Sequence, residues 1–165
     1  MLRFQGKILG KASDHYATPR AFYDQLNRKY HFNMDPCPYK STVDGLQLQW
    51  RGVVYVNPPY SNIYPWLKKG YDELCQIGRE NPCHTVIYLL PVRTDTKYFH
   101  DFIMKRARAI YFIKGRLHFN DDKNPAPFPV MLMEMDFQSL QGVIPIRFES
   151  MVVEKVKSDR QLELF

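Results

Sequence analysis

The chain has 165 residues, 45% of them hydrophobic and 15% aromatic, which is the size of one domain with enough apolar material for a core of its own. A formal charge of +6 and a pI of about 9.2 favour an anionic partner, nucleic acid first, and 24% charged residues of both signs exclude a disordered basic tail. Cys37, Cys75 and Cys83 form no CxxC pair and have no histidine at metal-ligand spacing. They read as reduced thiols, with neither a disulfide framework nor a metal site. No run approaches the roughly 20 apolar residues of a membrane span, and residues 1–11 lack the apolar run of a signal peptide, so a cytoplasmic protein is expected.

In chain order, Thr18-Pro19 is the first helix signal, a capping residue followed by proline at the first helical position. Phe22, Leu26 and Tyr30 form an apolar stripe along a helix predicted over residues 19–29. Residues 31–35 read as a short strand ending at Asp35-Pro36, and residues 52–56 as a second strand. A helix entered near Pro65 carries Leu67, Tyr71, Leu74 and Ile77 on one face. The continuous apolar run 85–90 predicts a central strand buried on both faces, closed by Pro91. A helix over 97–105 and strands over 109–114 and 129–135 follow, and residues 143–156 are weakly strand-like. This alternation predicts one α/β domain over 1–165, mostly parallel with an antiparallel edge, with residues 1–13 and 157–165 as flexible ends.

The second strand runs directly into an unusual sequence, VVYVNPPYS at residues 53–61. Each proline fixes its own φ and pushes the preceding residue into extended backbone, so the strand ends in a rigid elbow. In open α/β sheets the carboxyl end of a strand is where ligands bind. Asn57 and Pro58 offer two neighbouring acceptors, the side-chain oxygen and a carbonyl, and Tyr60 offers a flat ring. Two acceptors suit an NH₂ group. On a nucleobase such a group is a poor nucleophile, because its lone pair is delocalised into the ring. Acceptors on its hydrogens favour the pyramidal form that attacks an electrophile, which stabilises the transition state more than the ground state. A paired base would have to be flipped out to reach them. Asn-Pro and Pro-Pro are also ordinary loop dipeptides, and it is the preceding strand, the following helix and the basic charge that favour the functional reading.

The elbow resembles the catalytic strand of amino methyltransferases that use S-adenosylmethionine, in which an (Asp/Asn/Ser)-Pro-Pro-(Tyr/Phe) tetrapeptide binds the amino group of adenine, cytosine or a glutamine amide. More closely, the chain resembles the phage-type DNA N-6-adenine methyltransferase family, through DHYATPRAFYDQL, FNMDPCP, DGLQLQW, VNPPYS, LLPVRTDTKYFH, IKGRLHF and APFP in that order. The resemblance implies a Rossmann-like methyltransferase sheet with S-adenosylmethionine across the carboxyl ends of its first strands. It also implies DNA as the partner and Asn57, Pro58, Pro59 and Tyr60 as the catalytic residues. Thr18 and Pro19 resemble the segment that packs on the methionine end of the cofactor. Asp35 and Pro36 resemble the start of a cofactor loop that continues here through Cys37 without the glycine of related enzymes. Asp44 resembles the acidic residue near the cofactor's adenine or ribose, although Asp-Gly is also a common turn and Asp35 also suits a helix cap. Asn57 would face both cofactor and base.

For DNA the candidates are Arg93 and Arg116, with Lys97, Lys114 and Lys123 as further phosphate contacts. Phe119 and Phe128 flank the loop 120–127, and one of them is expected to sandwich the flipped base against Tyr60, the other to be core. His100 and His118 read as structural. Two readings compete with DNA adenine methylation. One is an amino methyltransferase acting on RNA adenine, cytosine N4 or protein glutamine, and the other is a degenerate fold kept as a DNA-binding module. A chain this small has no room for a separate recognition domain, which predicts a short or relaxed target site, or help from a partner or a homodimer.

Overall fold

A computed structural model describes residues 16–81, 83–121, 123–142 and 146–153. The expected flexible ends, and residues 143–145 and 154–156 of the weak strand region, lie outside the described residues. Helix α1 spans Arg20–Tyr30 and buries Phe22 and Leu26, with Tyr30 half-buried at its end. Pro19 leads into it with extended backbone, and no side chain caps it: the Thr18 hydroxyl, expected as the cap, is bonded elsewhere. His31 closes the helix in the left-handed conformation, donating its N–H to the Asn27 carbonyl.

The strand expected over 31–35 shrinks to a single parallel bridge, Met34 to Val54. Left-handed His31 precedes it and Pro36, which has no N–H, follows, so few residues are free to form a ladder. Those few are well used: Asn33 N–H donates to the Val53 carbonyl at 2.8 Å, Tyr55 N–H to the Met34 carbonyl at 2.9 Å, and Val53 N–H to Asn33 Oδ1 at 2.7 Å.

Strand β1, Val53–Val56, pairs in parallel with β2, Thr85–Pro91, through the crossover helix α2, Ile63–Ile77. After β2 the chain makes a wide π-helical turn, Phe99–Ile103, that tightens into the short α3, Met104–Arg106, in place of one regular helix over 97–105. Strands β3, Ala109–Lys114, and β4, Val130–Asp136, follow, then α4, Phe137–Leu140, and β5, Arg147–Val152. The sheet order is β1-β2-β4-β3-β5. Four strands run the same way, and β4 alone runs opposite, paired to β2 on one side and β3 on the other.

The antiparallel strand therefore lies inside the sheet and not at its edge, as the sequence suggested. The cause is the connection. A parallel neighbour needs a crossover element, and between β3 and β4 there is only a loop with a three-residue 3₁₀ turn, Phe119–Asp121, so the chain folds back beside β3. The edge goes to β5, parallel to β3.

Two cores sandwich the sheet. Val86, Tyr88 and Leu90 of β2 face α2 with Trp50, Trp66 and Leu67, whereas Ile87 and Leu89 face α1 with Phe22 and Leu26, as expected of a strand buried on both faces. Gly70 of α2 permits this contact. A Cβ there would lie 1.9 Å from the Tyr88 hydroxyl, which donates to the Trp66 carbonyl at 3.0 Å. Alanine is the better helix former by about 1 kcal/mol, yet overpacking costs about 1–3 kcal/mol, so Gly70→Ala is expected to lower stability. Urea denaturation measures this, and an unchanged or raised midpoint would show that Tyr88 yields without cost.

Candidate active site

The carboxyl ends of the parallel strands gather three segments that are far apart in sequence: the elbow after β1, residues 16–18 before α1, and the loop between β3 and β4. The elbow fixes Asn57. Its Nδ2 donates to the Tyr16 carbonyl at 2.6 Å and to Thr18 Oγ1 at 3.1 Å. A carbonyl can only accept, so the amide nitrogen must face that segment and Oδ1 must face away from it. Asn57 Oδ1 is buried and accepts no hydrogen bond from any of the described residues. A buried polar atom without a partner is uncommon and calls for an explanation.

Tyr60 is the second such residue. Its hydroxyl is buried and unpartnered, and burial pushes the phenol's pKa well above its ordinary value. Phe128 meets its ring edge-on at 5.5 Å and Phe119 at 6.1 Å; Phe119 is buried in the core that contains α1, and Phe128 packs against that core partly exposed. One of its faces is stacked by Tyr16, centroid to centroid 5.2 Å with 29° between planes. Sequence reading missed Tyr16. An aromatic residue two positions before a Thr-Pro cap has no local signal, and its significance arises only from contacts with residues more than 40 positions away.

Beside the elbow lies a cavity of about 150 Å³ lined by residues 16–18, Tyr23, Asp35, residues 37–39, Tyr55, Asn57 and Pro59. Of the residues expected to hold a cofactor, Thr18, Asp35, Cys37 and Asn57 line it. Pro19, Pro36 and Asp44 do not line it. Pro36 is buried behind it, where Gly45 comes so close that a Cβ would lie 1.8 Å from the Pro36 carbonyl. Exposed Asp44 closes its own turn, with Oδ1 accepting from Leu46 N–H at 3.0 Å.

Asp35 Oδ1 accepts from Cys37 N–H at 2.9 Å, but burial dominates and raises the carboxyl's pKa to about 6. Burial, with Asp35 adding to it, pushes the Cys37 thiol up to about 12, so this is no reactive thiolate. Thr18 Oγ1 also lies 2.7 Å from the buried Tyr55 hydroxyl, which makes it the node between Asn57 and the sheet.

Arg93, Arg116, Lys114 and Lys123 are exposed in or beside the loops after β2 and β3, at the same edge of the sheet as the elbow. Lys97 is engaged with Asp101 one turn on. His100 and His118 are exposed. Among the described residues no cluster of three or more His, Cys, Asp or Glu side chains has metal-binding geometry, and no helix is long and apolar enough to cross a membrane.

The α/β sheet thus presents an Asn-Pro-Pro-Tyr elbow at the carboxyl end of β1, beside a cavity lined by one carboxyl group and by aromatic side chains, where ligands bind in open α/β sheets. The family model described as DNA N-6-adenine-methyltransferase (Dam) matches residues 5–130, and the chain belongs to that family. No curated protein matches the chain.

Thr18→Val removes the hydroxyl bonds to Asn57 and Tyr55 while keeping the shape, and is expected to cost roughly 1–3 kcal/mol of stability. Thr18→Ser should retain most of it. Equal denaturation midpoints for the two variants would show that these bonds contribute nothing.

Proposed function

We propose that this chain transfers a methyl group from S-adenosylmethionine to the N6 amino group of adenine in DNA, on a flipped base held at Asn57-Pro58-Pro59-Tyr60. The observation that carries the reading is the buried, unpartnered Asn57 Oδ1, turned away from residues 16–18 by two bonds to its own nitrogen. An acceptor held in this way is suited to one hydrogen of an amino group, and the Tyr60 ring to the base that carries it. Membership of the family and the direction of the strands, whose carboxyl ends meet at this site, support reading the sheet as the Rossmann-like methyltransferase fold in a single domain.

The lining of the cavity suits the cofactor: Asp35 supplies negative charge for a cation, Tyr23 and Tyr39 supply aromatic surface, and Thr18 supplies a hydroxyl. When bound, the cofactor provides an electrophilic methyl group on a sulfonium. The protein's part is positioning and polarisation. Asn57 Oδ1 draws on the amino hydrogens as N6 forms its new bond to carbon and the carbon–sulfur bond breaks, and Tyr60 holds the ring in line. The proton that N6 sheds afterwards leaves to water. No covalent bond to the enzyme is required.

Arg93 and Arg116, with Lys114 and Lys123, flank the site and would contact phosphates, which makes binding sensitive to salt.

Tritiated S-adenosylmethionine and unmethylated DNA, followed by digestion to nucleosides, test the reading. Label is expected in N6-methyl-2′-deoxyadenosine, and Asn57→Ala is expected to reduce it by about 10²–10³-fold. Label in N4-methylcytosine, in RNA or in glutamine would reassign the substrate. DNA binding without any label would make the chain a binding module.

The carboxyl pKa of about 6 at Asp35 adds a pH dependence. Between the unfolded value of 3.8 and 6 the folded chain holds this proton more tightly than the unfolded chain does, so this group alone stabilises the fold as pH falls through that window. The charge needed by a cationic ligand is present only above it. Affinity for S-adenosylmethionine should therefore rise as pH increases through about 6, and Asp35→Asn should flatten the profile. Calorimetric titration at pH 5 and pH 7.5 checks this, and an equal slope in the variant would assign the dependence to another group.

A further inference from the structure

We propose that Tyr16 is the gate of the base pocket: its ring occupies the stacking position on Tyr60 that the target base takes, and the ring must swing aside before the base can reach Asn57. The inference rests on the function proposed above and adds a residue and a step to it. Three observations carry it.

The first is the stack itself. Tyr16 and Tyr60 lie 5.2 Å apart and 29° from parallel, the arrangement of a base on an aromatic platform, and Tyr16 also meets Phe119 at 5.3 Å and Phe128 at 5.6 Å. The second is the division of space. A second cavity of about 190 Å³ opens under the β3–β4 loop, lined by Phe119, Asn120 and residues 124–127, and the lining residue it shares with the cavity containing Asp35 and Asn57 is Tyr16. Methyl transfer needs the attacking nitrogen about 3–3.5 Å from the carbon it attacks, which two cavities walled apart do not allow. On this proposal, swinging the ring of Tyr16, the residue that both cavities share, joins them into one space.

The third is that the backbone of this segment is anchored independently of the ring. Ala17 N–H donates to Asn120 Oδ1 at 2.6 Å, Asn120 N–H donates back to the Ala17 carbonyl at 3.0 Å, and the Tyr16 carbonyl accepts from Asn57. Asn120 holds its end of the clamp in the left-handed conformation, which asparagine tolerates better than most residues. The ring can therefore rotate about its side-chain torsions while the carbonyl keeps Asn57 oriented. Main chain positions, side chain gates.

The exchange of one aromatic stack for another has a consequence for selectivity. A ligand displaces Tyr16 only if it stacks on Tyr60 at least comparably, which favours the larger face of a purine over a pyrimidine.

The test is fluorescence quenching of 2-aminopurine deoxyriboside, with the cofactor cavity saturated by S-adenosylhomocysteine. The wild-type chain and Tyr16→Phe, which keeps the ring, are expected to bind the probe weakly. Tyr16→Ala is expected to bind it about tenfold or more tightly, as an engineered cavity takes up an aromatic guest, and adding Tyr60→Ala is expected to remove the gain. Tyr16→Val serves in the same assay should the alanine variant lose its fold by circular dichroism. A folded small-side-chain variant that binds no better than wild type, or a gain that survives Tyr60→Ala, overturns the gate. Methyl transfer to DNA is followed in parallel. Normal wild-type transfer with no gain in binding removes the gate alone. A Tyr60-dependent gain without wild-type transfer removes the methylation reading and leaves a gated pocket for planar ligands.

Discussion

The orientation of one amide governs the site. Asn57 Nδ2 is committed to two acceptors on a single segment, the Tyr16 carbonyl and Thr18 Oγ1, and because of that Oδ1 is turned away from residues 16–18. An aspartate in its place would turn an oxygen toward the Tyr16 carbonyl and gain repulsion where asparagine gains a bond. The side-chain amide is thus favoured by its neighbours. The segment is in turn held by the helix behind it, since α1 docks Phe22 and Leu26 into the core below β1 and β2, and by the reciprocal bonds between Ala17 and Asn120.

The interior position of β4 matters for the same site. Because the chain returns directly beside β3, the loop between them hangs over the carboxyl ends of the parallel strands, and Ala126 N–H bonds to the Leu117 carbonyl at 2.8 Å to fold it down. That fold brings Phe119 and Phe128 to Tyr60 from residues about 60 positions further along the chain. A β4 at the sheet's edge would have carried the loop away from the elbow. One topological choice, made by the absence of a crossover helix, therefore supplies half of the aromatic walls.

What could be read from the sequence follows from how local each signal is. The strands β1 and β2 and the helices α1 and α2 announce themselves through apolar period, and the elbow through two prolines whose effect on φ needs no tertiary context. Residues 31–35 have the composition of a strand, but the left-handed residue before them and the proline after them leave one bridge. Thr18 reads locally as a helix cap, yet its hydroxyl is drawn to Asn57 and Tyr55, partners 39 and 37 positions away. Tyr16 has no local pattern at all. Its stacking partner and the Asn120 clamp beside it exist only once three segments have met, and no periodicity or motif encodes such a meeting.

The cavity beside the elbow carries two deficits of the same sign. Asp35 is partly buried where nothing cationic lines the space, so its carboxylate is disfavoured, and Asn57 Oδ1 is an acceptor with no donor among the described residues. Packing could have removed either deficit at small cost, by exchanging Asp35 for an apolar residue or giving Asn57 Oδ1 a backbone N–H. Both occur at residues that line one cavity. Together they define a guest that brings positive charge to one end and amino hydrogens to the other. A neutral N–H donor would satisfy only Asn57 Oδ1, and a cation without N–H groups would satisfy only Asp35. The two deficits ask for different things, a positive charge at Asp35 and an N–H donor at Asn57, and no single charge of either sign answers both.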